Sequence, residues 1–155
     1  MSIQSWYNEN YPIDAELVSD EGEAIEHSIR KWKGFLPENL AKHGVKIDTL
    51  DQVEGTLIDE NSKGAWDYAI TPLNLDSGSS CALCEMFFRP LPSDIPCAKC
   101  PIVKSGQLYC FNTKSAYMLS YPDKPELMIE ALEVALRWYN SSITGTIQPS
   151  NEDTA

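Results

Sequence analysis

Five cysteines fall within 30 residues of a 155-residue chain and nowhere else in it. They read Cys81-Ala-Leu-Cys84, then Cys97-Ala-Lys-Cys100 after a gap of twelve, then Cys110. A Cys-x-x-Cys turn aims two sulfurs at one point, and two such turns supply the four thiolates of a tetrahedral zinc site. The expected ligands are Cys81, Cys84, Cys97 and Cys100. Cys110 is then either a buried, apolar-like thiol or an alternate ligand in place of one of them, which spacing leaves open. A redox dithiol, a disulfide framework and another metal are the competing readings. The odd count and the absence of an export signal weigh against the disulfide framework.

Four thiolates around Zn²⁺ leave a net charge of −2, and Lys99, Lys104 or Arg89 are the nearby cations that could offset it. Pro96-Cys97-Ala-Lys-Cys100 matches half of the nucleobase-deaminase signature, but the other half needs His-x-Glu or Cys-x-Glu upstream. Glu85 follows Cys84 directly, so that spacing fails. Four cysteine ligands would also leave no open position for a catalytic water. The chain carries no Gly-rich phosphate loop, no His-Glu-x-x-His and no Gly-x-Ser-x-Gly. Its two histidines, His27 and His43, read as surface residues. The expected chemistry is therefore structural zinc with no catalytic residue; a divergent zinc hydrolase or deaminase, or a thiol-redox protein, is the alternative.

The elements that must hold this centre show in the apolar periodicity. Asp20-Glu21-Gly22-Glu23 is a capping-type start, and Ile25, Ile29, Trp32 and Leu36 follow on one helical face until Gly34 and Pro37 interrupt it. A short helix is expected from Pro37 to Gly44. Asp123-Lys124-Pro125-Glu126 opens a second long helix, with Leu127, Ala131, Val134, Ala135 and Trp138 on one face and Met128, Leu132, Leu136 and Tyr139 widening it. Trp32 and Trp138 are expected to share a core. Trp66, Tyr68 and Ile70 alternate as a strand would, ended by Thr71-Pro72, and residues 45–62 are ambiguous. Prolines 90, 92, 96 and 101 exclude long elements between the cysteines. The expected fold class is α+β: one small domain over 1–143, two amphipathic helices packed with a short sheet, a zinc lobe at 81–110 and a polar tail at 144–155.

Charge bounds the partners. The chain holds 23 acidic and 12 basic residues, net −11, of which residues 1–62 carry −8. No Lys/Arg cluster rewards a phosphate backbone, so direct nucleic-acid binding is disfavoured. The zinc segment 81–110 carries only +1 before its thiolates are counted. Glu21, Glu23 and Glu26 are instead candidates for a face that meets a basic groove on a protein partner, conceivably by imitating nucleic acid; the plainer reading is solubility. No stretch is long and apolar enough for a membrane span or a signal peptide, which points to the cytoplasm. Nothing in the sequence fixes the oligomeric state.

The order of features resembles a group of short phage and prophage zinc-binding proteins. The carriers are Ser28-Ile29-Arg30-Lys31-Trp32, the two Cys-x-x-Cys pairs with Cys100-Pro101-Ile102, Gly106, Cys110, and the closing helix at 131–138. The resemblance implies a zinc-stapled, phage-encoded protein of the bacterial cytosol and assigns it no reaction. Joined to the acidity, it leads to the expected function: a non-enzymatic interaction protein that binds, and by extension inhibits, a host defence or regulatory protein.

Overall fold

The structure is a computed structural model and describes residues 2–48, 56–59, 81–87, 99–110, 112, 114–120 and 124–144. Its elements in chain order are α1 (Ile3–Asn10), a 3-10 turn (Ala15–Leu17), α2 (Glu21–Lys33), α3 (Pro37–Lys42), β1 (Lys46–Asp48), β2 (Thr56–Ile58), α4 (Ala82–Phe87), α5 (Pro101–Lys104), α6 (Ala116–Ser120) and α7 (Pro125–Thr144).

Helix α2 is the hub. Asp20 caps it, its carboxylate accepting the Glu23 amide at 3.0 Å, and it carries Glu21 and Glu23 in the first turn and Arg30, Lys31 and Lys33 in the last. Both ends therefore suit the helix dipole. Its buried side packs on α7 and on α4. Helix α1 was not expected, because its eight residues show no clear apolar stripe. Ile3 and Asn10 are buried beside its main anchor, Trp6, which is fully buried, stacks on Phe35 at 5.4 Å between ring centroids, and donates from Nε1 to the Gly34 carbonyl at 2.8 Å. Gly34 is required at this contact, since a methyl group there would lie 2.6 Å from the Trp6 ring.

The α+β expectation is overturned. Helices build every layer among the described residues, and the only strands are the three-residue pair β1 and β2, antiparallel with Lys46 opposite Ile58. A pair that short is marginal by itself and hangs on the core through Val45 and Leu57. The segment read as a strand at 66–70 and the tail from 145 lie outside the described residues. Thr144, placed in the tail by sequence, belongs to α7.

Helix α7 is buried on the side of Met128, Ile129, Ala131, Leu132 and Ala135, while Val134 stays exposed. The core face is thus centred on the residues expected only to widen it. Trp32 joins the core, but Trp138 is half-buried under Lys104, whose Nζ is 5.8 Å from the ring centroid. The buried apolar residues, Cys100 among them, form one continuous cluster. No helix among the described residues is long and apolar enough to cross a membrane.

Neither histidine is a plain surface residue. His43 is buried, with Nδ1 2.9 Å from Ser5 Oγ. His27 is half-buried, lies edge-on to Tyr11 and donates from Nε2 to the Ile13 carbonyl at 2.6 Å. Burial lowers the His27 pKa below its ordinary 6.5, so folding favours the neutral ring. Its contribution is complete above the unfolded value and is lost as pH falls below 6.5. His27→Gln keeps the donor but not the titration; it should flatten the fall in stability below that pH by less than ~1 kcal/mol after solvent screening, read from urea midpoints at several pH values.

Candidate metal centre

Three separate stretches of chain bring sulfur to one place. Cys81 starts α4, its carbonyl accepting the Glu85 amide at 3.0 Å, and Cys84 follows three residues on, on the same helical face. Cys100 is the N-cap of α5, held extended at φ −66°, ψ 135° by the proline that opens that helix. After α5, Gly106 adopts φ 96°, the left-handed turn that sends residues 107–110 back toward Cys100. Gln107 fixes the returning strand to α7 by donating to the Ala131 carbonyl at 2.9 Å. The Cys110 carbonyl accepts from Ser115 Oγ at 2.7 Å.

Cys81, Cys84, Cys100 and Cys110 line one cavity of about 20 Å³, closed by Leu83, Phe87, Ile102 and Tyr109. That is room for a single water-sized guest. The expected set is brought together in three of its four members, with the alternate Cys110 on the same wall. Cys97 lies outside the described residues. Among the described residues no group of three or more His, Cys, Asp or Glu side chains is already drawn into metal-ligand geometry. The donor set nonetheless fits a soft divalent ion in type: four sulfurs, an apolar surround and a space of one atom's size. Glu85 does not line the cavity, so the acid/base carboxylate of a deaminase has no counterpart there.

The electrostatics are those of crowded sulfurs. A hydrogen bond from Cys84, with Lys31 and Ser28 adding to it, brings the Cys81 thiol well below its ordinary range despite burial. Cys84 is driven up by that same bond, by burial, and by the charges of Cys81, Cys110 and Cys100. Ser28 Oγ lies 3.8 Å from Cys81 Sγ.

The cation beside these sulfurs is not one that the sequence suggested. Lys99 and Lys104 are exposed, and Arg89 is outside the described residues. Lys31 of α2 is instead 1% exposed, and the charges of Cys81, Cys84 and Cys110 act on it. Burial lowers its pKa and the sulfurs oppose that shift. In sequence Lys31 belongs to an ordinary Arg-Lys-Trp-Lys run; its one legible signal was its position three residues after Ser28 on the apolar side of the helix. Glu23 and Glu26 are exposed on the other side of α2, whereas Glu21, half-exposed at the start of the helix, lies two turns before Ser28 on the same side. Comparison of the chain with protein-family profiles, curated proteins and solved structures finds no match.

Proposed function

We propose that this chain is a zinc-stapled helical protein that works by binding another protein. One observation carries the metal: cysteines from three separate segments line a cavity with room for one small guest. The proposed ligands are Cys81, Cys84, Cys100 and Cys110. Zinc held by four thiolates has no open position, so its contribution is structural: it ties α4, α5 and the 107–110 segment against α2. Purified full-length protein, assayed for bound metal and reactive thiols together, tests this: one zinc and one readily alkylated cysteine are expected, while five alkylated thiols in metal-free protein would refute it.

The acidic start of α2 supports a protein partner with a basic surface. Glu21, Glu23 and Glu26 make no ion pair with any described residue, so their charge is open to an incoming cationic face. The likeness of the cysteine order to phage and prophage proteins makes a bacterial host protein, of defence or regulation, the partner sought and inhibition the outcome. Reversing all three charges to lysine should slow association with that partner at least about tenfold at low salt and leave zinc content untouched. Binding kinetics at two ionic strengths check this.

A redox dithiol is the second reading, and the direct contact of the Cys81 and Cys84 side chains on the cavity wall favours it. It requires a Cys81–Cys84 disulfide that forms on mild oxidation of the protein as purified and is reduced reversibly. Zinc bound through both sulfurs would prevent that, and mass spectrometry after mild oxidation separates the two.

A further inference from the structure

Protein interiors seldom leave a space larger than a water molecule. This fold leaves about 210 Å³ where α5, the 107–110 segment and α6 meet α7. Ile102, Met128 and Ala131, each at most 5% exposed, form its floor, and Leu108 and Lys114 open it to solvent. The walls are held before any guest arrives. Gln107 donates through Nε2 to the Ala131 carbonyl at 2.9 Å and to Ser105 Oγ at 3.0 Å. Ser115 Oγ donates to the Cys110 carbonyl at 2.7 Å and accepts the Met118 amide at 3.2 Å. An apolar floor holds water poorly, and a dry cavity of about 150 Å³ already admits benzene.

Charge selects the head group. Residues 95–122 contain Lys99, Lys104 and Lys114 and no Asp or Glu, the longest carboxylate-free stretch of a chain that holds 23. Lys114 makes no ion pair with a described residue, and it is the only Lys, Arg, Asp or Glu among the described residues of the lining. We propose that this cavity binds a small free organic acid, with one ring or branched alkyl group on the floor and the carboxylate at the mouth on the Lys114 ammonium. A peptide terminus would bring a chain that must leave through the same mouth past Lys114, so the free acid is the better fit. The site does not depend on the metal reading; among the described residues, only Ile102 and Cys110 belong to both walls.

The test titrates full-length protein, as purified, with phenylacetate and with phenylacetamide, which keeps the ring and the shape but not the charge. Nitrogen-15 spectra report where each binds. Phenylacetate should bind saturably with a Kd of about 0.1–1 mM, ordinary for about ten heavy atoms. It should shift the amides of Gln107, Ala116 and Ala131. Phenylacetamide should bind about threefold more weakly, the scale of one exposed charge pair, and Lys114→Met should abolish that preference. Lys46→Met, which removes an exposed lysine from β1, should match wild type. Ala131→Leu, which fills the floor, should lose both ligands. N-acetylphenylalanine, with the same ring and carboxylate on a peptide bond, should bind more weakly than phenylacetate; tighter binding gives the site to a chain terminus and overturns the free acid. No saturable shift by about 10 mM phenylacetate, shifts confined to residues outside the cavity, equal affinity for acid and amide, or an equal loss from Lys46→Met also overturns the proposal. The comparison of acid with amide on the wild type decides the matter even if Ala131→Leu does not fold.

Discussion

Cys110→Ser is expected to empty the proposed metal centre. The expectation follows from the walls of the cavity, to which Cys110 contributes beside Cys81, Cys84 and Cys100. Structural zinc in small domains is worth roughly 10–16 kcal/mol, against about 5–15 kcal/mol for the whole stability of an ordinary domain. Loss of one ligand should therefore do more than loosen a loop. Cys100 and Ile102 belong to the same buried cluster as Trp32 and Leu132, so loss of the centre should reach the packing of α2 on α7. Chelation of the wild type should reproduce it: lower helix content, exposed tryptophan, and a thermal transition that is broadened or gone. Circular dichroism and tryptophan fluorescence before and after chelation report this, and restored signals on adding zinc would show that the loss was the metal's.

Trp6→Ala should cost about 3–5 kcal/mol, the range for removing a fully buried aromatic ring. The ring is 0% exposed, stacks on Phe35, meets Tyr7 edge-on and bonds the Gly34 carbonyl. Buried Ile3 and Asn10 and the Ser2–Ser5 capping box also hold helix α1, but eight residues of mixed polarity do not form a stable helix alone. Trp6→Phe should cost less, keeping the stacking and leaving only the Gly34 carbonyl without its donor, about 1–3 kcal/mol. Urea midpoints with an unchanged slope would show that stability, and not the extent of unfolding, has changed. Zinc content should stay at wild-type level in both variants, because Trp6 does not line the metal cavity.

Helices α2 and α7 were legible because capping residues and an apolar stripe agreed over 13 and 20 residues. The short helices α4 and α5 were not, since six and four residues are too few for a period to appear. Helix α1 escaped because its hold comes from tertiary contacts with no local trace, chief among them Trp6 seated against a glycine 28 positions away. The α+β reading rested on the alternation at 66–70, which lies outside the described residues; among those described, prolines that forbid long helices still allow the short ones that carry Cys84 and follow Cys100. The pairing of Cys81 with Cys84 was legible, because Cys-x-x-Cys spacing is a local geometric constraint, whereas spacing left the place of Cys110 open. Lys31 was not, because a cation in a charged run looks like a solvated face until the neighbouring elements are placed.

The central claim, a metal ion enclosed by four cysteines, is tested most directly by elemental analysis of freshly purified full-length protein against its concentration. One zinc per chain, lost when Cys81, Cys84, Cys100 or Cys110 is replaced by serine, is the predicted result. A wild-type chain without stoichiometric metal, folded and unchanged by chelator, would contradict it.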